Sequence, residues 1–295
     1  MIYDIKLRIR YHYASPAAAG RQVLHMMPAD LPGLQRLVSG HLDISPRPVE
    51  RRDSVDFFGN PMVAFALRLP HSDITLQVQA RVDRNESPPP LLPATALGNL
   101  PGELAACRDL GFRSPMHFIA DSPRVTRNSA MTAYAREHLV RGMSVLEAVM
   151  AVGAALHRDM TYDPEATKVD TPGAEAFASR RGVCQDFSHV MIACLRGVGI
   201  PAGYVSGFLR TTPPPGRPRL EGADAMHAWV QAWCGVAAGW VEYDPTNGVV
   251  ASADHVVVAR GRDYFDVAPV KGVLRVAGGQ TIRQAVDMIP VPGSE

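Results

Sequence analysis

The scarcities of this 295-residue chain narrow what it can be. Its four cysteines, at 107, 184, 194 and 234, include no Cys-x-x-Cys pair, which argues against a zinc ribbon and against a small disulfide-stapled domain. No His-x-x-x-His spacing occurs either, so no metal and no other cofactor is expected. An excess of one charge is also missing. Thirty basic against 29 acidic side chains leave a formal charge of +1, which gives no global field to attract nucleic acid or an anionic membrane surface. No run approaches the roughly 18 apolar residues of a membrane span. The first residues, Met1 to Arg8, are charged throughout, unlike a signal peptide. With scattered thiols, this reads as a cytoplasmic protein that binds neither nucleic acid nor membrane. Nothing in the sequence sets an oligomeric state.

At 46% apolar residues the chain can bury a large core, and about 150 residues per domain suggests two domains. Tyr3, Ile5, Leu7, Ile9, Tyr11 and Tyr13 alternate with polar residues, the period-2 pattern of a strand buried on one face. Alternation returns over Leu76 to Val82, and Phe58-Gly59-Asn60-Pro61 supplies turn chemistry. Residues 1–84 therefore read as an antiparallel β-sandwich. Residues 85–101, with Pro88, Pro89, Pro90, Pro93 and Pro101, read as a linker without regular structure, because each proline fixes φ and removes a donor. The second domain spans 102–295, ends in a C-terminal β extension and begins with helices: Ser144-Val145-Leu146-Glu147 is a capping box, followed on one face by Val149, Val152 and Leu156.

From Cys184 the helical pattern is strongest, with Phe187, Val190, Met191, Cys194, Leu195 and Val198 on one face and Gly197, Gly199 and Pro201 as its end. Strands follow at 204–209, 227–234 and 240–244, with a Pro/Gly-rich loop over 211–223 that either flanks a cleft or is a solvated connector. The fold class is α+β, with a central helix packed on an antiparallel sheet.

Cys184 heads its helix, where free N–H groups and the macrodipole favour a thiolate over a thiol of pKa about 8.5. Such dipole effects are worth only about 0.3–1 kcal/mol at exposed helix ends, so on position alone Cys184 is either reactive or an ordinary buried thiol. His189 lies roughly 140° round the helix from it and points elsewhere. Asp186 and His189 are expected to stabilise the helix or bind backbone groups. His227, 43 positions after Cys184, shares a strand face with Trp229, Gln231 and Trp233. Asp244, 17 positions further on, shares that face if the register pairs it directly with His227. Two readings stay open for Asp244: it orients the imidazole, or it caps the turn Asp244-Pro245-Thr246-Asn247-Gly248. Asn247 is a competing orienter.

Gly182-Val183-Cys184-Gln185-Asp186-Phe187-Ser188-His189, Gly199-Ile200-Pro201 through Gly207, Asp224-Ala225-Met226-His227-Ala228-Trp229, and Gly239-Trp240 through Asn247 together resemble the core of the bacterial transglutaminase-like family. The likeness continues through Tyr162-Asp163 and Thr171-Pro172 before the cysteine and through His255 and Ala259 to Tyr264 after the aspartate. Tyr11, Tyr13, His25 and Asp56 to Asn60 resemble the β domain that precedes that core. The resemblance implies a papain-like Cys184-His227-Asp244 triad. It implies acyl transfer through a Cys184 thioester on a peptide or protein amide, with water the expected acceptor and an amine the alternative. A non-catalytic scaffold is the remaining alternative. Gln185 stands where animal transglutaminases commonly carry tryptophan, so their amine specificity and calcium requirement are not carried over. The Cys184 backbone N–H, Gln185 and Trp229 are the candidates for stabilising the oxyanion or walling the substrate channel, with packing between sheet and helix the alternative for Trp229.

Overall fold

A computed structural model describes residues 1–86, 94–211 and 224–293. The Pro88 to Pro93 segment and residues 212–223 of the loop lie outside the described residues. Six strands come first: β1 (Ile2–Ala17), β2 (Ala19–Leu24), β3 (Gln35–Ser45), β4 (Glu50–Val55), β5 (Pro61–Leu67) and β6 (His71–Arg84). Then come helices α1 (Leu100–Ala106), α2 (Ser129–Glu137) and α3 (Val145–Asp159), the short β7 (Thr161–Tyr162), α4 (Gly173–Ser179), β8 (Arg181–Gly182) and α5 (Cys184–Gly197). The chain continues through β9 (Ala202–Leu209), β10 (Ala225–Trp233), β11 (Trp240–Asp244), β12 (Val249–Val250), β13 (His255–Gly261), α6 (Tyr264–Val267), β14 (Val270–Arg275) and β15 (Gln280–Pro290). No helix among the described residues is long and apolar enough to cross a membrane.

The alternation read in β1 is the burial observed: Tyr3, Ile5, Leu7, Ile9 and Tyr13 are buried while Lys6, Arg8, Arg10 and His12 face out. Two four-stranded antiparallel sheets, ordered β15-β1-β6-β3 and β14-β2-β5-β4, share this core. The division by sequence is corrected at the C-terminus. Residues 270–275 and 280–290, assigned with 102–295 to the second domain, instead pair with β2 and β1 and complete the two sandwich sheets. The expected linker is also corrected at its end. Residues 97–99 form a 3₁₀ turn that runs into α1, and Pro101 sits in the first turn, where its missing N–H has no helical partner to lose.

The second layer is a five-stranded antiparallel sheet, β12-β11-β10-β9-β13, on which α5 packs. α5 is buried over nearly its whole length, and beyond its apolar stripe the buried residues are the polar Gln185, Asp186, Ser188, His189 and Arg196. The capping box at α3 is present: Ser144 N–H donates to Glu147 Oε2 (2.8 Å) and Glu147 N–H to Ser144 Oγ (3.2 Å). The hairpin register differs from expectation by two residues. Val230 pairs with Tyr243 and Trp233 with Trp240, which sets Asp244 level with Trp229 rather than with His227. The loop needs all of Gly235 to Gly239, closed by Cys234 N–H to Gly239 O (2.7 Å), so the strands separate earlier. An even shift keeps every side chain on its face, so Asp244 still shares that of His227.

The sandwich grips the open edge of this sheet at β13. Gln35 donates to Val257 O and accepts from Val257 N–H, both at 2.8 Å, and Asn60 does the same to Arg260 at 2.8 and 2.7 Å. Each side-chain amide replaces the donor and acceptor of a missing neighbouring strand. The fully buried Arg84 adds Nε–H to His255 O (2.8 Å).

Candidate active site

Val183, in extended conformation, hands over to Cys184 at the first position of α5, so the Cys184 N–H has no intrahelical acceptor. The entry is held by Asp186, whose Oδ2 accepts Val183 N–H (2.8 Å) and Thr167 Oγ1–H (2.6 Å). Gly182 makes room for that carboxyl, since a Cβ there would stand 2.6 Å from Asp186 Oδ2. Burial pushes the Asp186 pKa up, against the hydrogen bonds from Thr167 and Val183. His189 accepts Tyr264 N–H on Nε2 (3.2 Å), and burial drives its pKa down to about 4, so it is a neutral acceptor for backbone, as expected.

His227 is 9% exposed, and its Nε2–H donates to Asp244 Oδ2 at 2.7 Å. With Nε2 so occupied, Nδ1 is the nitrogen left over, and Cys184 is near enough to the ring to favour its charged form. Burial alone would lower the imidazole pKa; the hydrogen bonds to Asp244 and Cys184 and the charges of both outweigh it and push it up to about 10. Asp244 is fully buried, which would raise its pKa, yet His227, His255 and Asn247 hold it well below the usual carboxylate range.

The two oxygens of Asp244 have different partners, one in the turn and one at the imidazoles. Oδ1 accepts the N–H groups of Thr246 (2.9 Å) and Asn247 (3.1 Å) and caps the turn. Oδ2 accepts from His227, from Asn247 Nδ2–H (2.6 Å) and from His255 Nε2–H (3.1 Å). Asn247 approaches His227 Nε2 only at 3.4 Å, so it supports the carboxylate more than the imidazole.

His255 is the site residue that sequence reasoning missed as a participant. Ser252 N–H is aimed at its Nδ1 (3.4 Å), which makes Nδ1 an acceptor and fixes the proton on Nε2, facing Asp244. His227, Asp244 and His255 are also a group that could hold a metal ion, their ligand atoms lying within 4.8 Å of one another. The Nε2–H protons already explain this spacing, and a metal would have to displace both and draw His227 from the cysteine.

Trp229 does not reach a substrate. It has no exposed surface, stacks on His227 (6.2 Å between centroids), meets His255 edge-on and donates Nε1–H to Glu242 Oε2 (2.8 Å). Gly207 leaves space for it, since a Cβ there would lie 2.4 Å from the indole. The assignment of Trp229 to a channel wall or oxyanion hole is therefore corrected: its strand face turns inward toward the sandwich. Gln185 is also mostly buried, its Nε2–H donated to Val169 O (2.9 Å), while the Cys184 N–H beside the sulfur has no acceptor among the described residues.

Residues 132–245 match the model of the transglutaminase-like superfamily, and residues 3–83 match that of the bacterial transglutaminase-like N-terminal region. An uncharacterized protein of Mycobacterium tuberculosis is 36% identical over 265 residues, covering 88% of this chain and 83% of the relative. One of Mycobacterium leprae is 33% identical over 282 residues, covering 94% and 95%. The fold is shared with a Cytophaga hutchinsonii protein described as a "putative cysteine protease", at TM-score 0.73 and 21% identity over 98% of this chain and 90% of that one.

Proposed function

The chain belongs to the transglutaminase-like superfamily, and on that premise we propose that it is a cysteine hydrolase of peptide or isopeptide-like amides, with Cys184 as nucleophile, His227 as acid and base, and Asp244 as orienter. The observation that carries the reading is His227 held on one nitrogen by a fully buried carboxylate, beside Cys184 at the head of α5. That arrangement favours a thiolate beside an imidazolium. The thiolate attacks the amide carbonyl carbon, and the resulting oxyanion meets the Cys184 N–H at the positive end of α5. His227 gives its Nδ1 proton to the leaving nitrogen as the C–N bond breaks, which leaves a thioester and a neutral imidazole. Water then loses a proton to Nδ1 while its oxygen attacks the thioester. The C–S bond breaks, the thiolate returns beside the imidazolium, and the carboxylic acid loses its proton to solvent. An amine in place of water would give transamidation by the same steps. The four unpaired thiols support the cytoplasm as the setting.

The test is the iodoacetamide alkylation rate of Cys184, followed by mass spectrometry from about pH 4 to 10, in the native protein and in His227→Ala. Rapid alkylation below the range of a free thiol, lost in the variant, is expected, and peptide amides should then be cleaved with or without an added primary amine. Slow alkylation in both proteins, with an accessible control thiol reacting normally, overturns the reading in favour of a non-catalytic scaffold. Amine incorporation exceeding hydrolysis would change the acceptor but keep the nucleophile.

A further inference from the structure

Behind Trp229, where the sandwich meets the catalytic sheet, lies a cavity of about 640 Å³ that none of Cys184, His227 and Asp244 lines. Phe58, Phe118 and Trp240 form a run of aromatic wall, with centroids 5.6 and 4.9 Å apart. Trp240 is fixed by its Nε1–H to Arg113 O (3.0 Å). Against this apolar wall two polar side chains make no hydrogen bond or ion pair among the described residues. Gln231, only 4% exposed, lines the cavity with its amide unbonded, and the Arg113 guanidinium at the mouth has no carboxylate.

The charges around the cavity do not balance. Glu242 is already taken by Arg260 and Trp229. Arg84, behind the wall, bonds only backbone carbonyls and leaves Nη2 unsatisfied. Burial lowers the pKa of Arg84, and Arg113 at the exposed mouth is lowered by partial desolvation; each is repelled by Arg260 and attracted by Glu242. The remaining acid of the lining, Asp30, is exposed and accepts Leu37 N–H. Three guanidinium groups thus surround one buried carboxylate. Gln231 and Arg113 thus present an amide and a guanidinium that a ligand in the cavity can meet.

We propose that this cavity is a second binding site, separate from the catalytic cleft, for a small carboxylic acid with an aromatic body. The ring lies against Phe58, Phe118 and Trp240, the carboxylate neutralises Arg113, and Gln231 supplies a hydrogen bond. The assignment rests on the cavity alone and stands or falls independently of the catalytic reading.

The probe is 3-phenylpropionate, titrated into the full chain carrying Cys184→Ala and followed by calorimetry and tryptophan fluorescence, with neutral 3-phenylpropionamide as control. Saturable binding of the acid is expected, about tenfold weaker for the amide and about tenfold weaker in Arg113→Ala, a charge pair of ordinary strength. Because Arg113 is exposed, that variant keeps its fold, which circular dichroism checks. Gln231→Leu should weaken binding several-fold, and His227→Ala should leave it unchanged. Absence of saturable binding up to the solubility limit overturns the proposal. So does equal binding of acid and amide, binding insensitive to Arg113→Ala, or binding lost in His227→Ala, which would place the probe in the catalytic cleft.

Discussion

Glu242 and Asp244 stand two positions apart on one face of β11, both removed from water, both ionised, and they serve different ends. Burial disfavours each charge, and in each case the partners win. Glu242 is answered by Arg260, through Nε at 2.9 Å and also through Nη2, and by the Trp229 indole. Asp244 is answered by two imidazoles and an amide. A guanidinium never releases its proton near neutral pH, so the Glu242 pair is a fixed strut; an imidazole does, so the Asp244 group can take part in proton transfer. The difference between structure and chemistry here lies in the partner's acidity, not in the carboxylate or its depth.

The largest effect that would sharpen this comparison is Asp244→Ala. It strands His227 and His255 without a carboxylate, and peptide-amide hydrolysis should fall about 10³–10⁴-fold, the scale of losing a triad member. Steady-state rates measure it, and a loss below tenfold would mean that Asn247 carries the orientation instead. Glu242→Gln should do the opposite. Breaking a buried ion pair costs about 3–5 kcal/mol, so the urea midpoint drops while the pH profile of Cys184 alkylation stays in place. If that profile moved as in Asp244→Ala, the two carboxylates would not be functionally distinct.

A smaller effect is expected at His255. One hydrogen bond to a charged acceptor is worth about 1.5–3 kcal/mol, so His255→Ala should lower kcat about tenfold or more with KM nearly unchanged, and His255→Gln, which keeps an N–H donor, should recover part of it. Equal loss in both variants would reduce His255 to a packing role.

The smallest expected effect is in the pH dependence of stability. His227 is raised in the fold to about 10 from 6.5, so its contribution is complete below 6.5 and is lost as pH rises through about 10. Asp244 is depressed from 3.8, so its contribution is present above that value and is lost as pH falls through its lower folded value. The Tm gap between the native protein and His227→Gln should therefore narrow on going from neutral pH to above 10. A gap that widened would contradict the imidazolium assignment.

Much of the site was legible because it depends on local periodicity and side-chain identity. The period-2 pattern of 227–234 and 240–244 placed His227 and Asp244 on one face, and an even slip in register left that parity intact. The helical spacing after Cys184 put the thiol at a helix start and turned His189 away. Trp229 misled because a strand face that is polar and aromatic in sequence looks open, while here the sandwich covers it.

The sequence by itself determined the thiol at the head of a buried helix, the imidazole and carboxylate on a shared strand face, and the alternation of the first sheet, because each follows from a repeat of two or 3.6 residues. Only the tertiary structure decided that His255 completes Asp244, that Gln35, Asn60 and Arg84 hold β13 from the other domain, and that residues 270–290 return to the sandwich. These contacts join residues as far apart as Gln35 and Val257, separated by 222 positions. No local repeat encodes such a meeting; it follows from satisfying the unpaired backbone of an edge strand and the lone pairs of a buried carboxylate once the two domains are brought together.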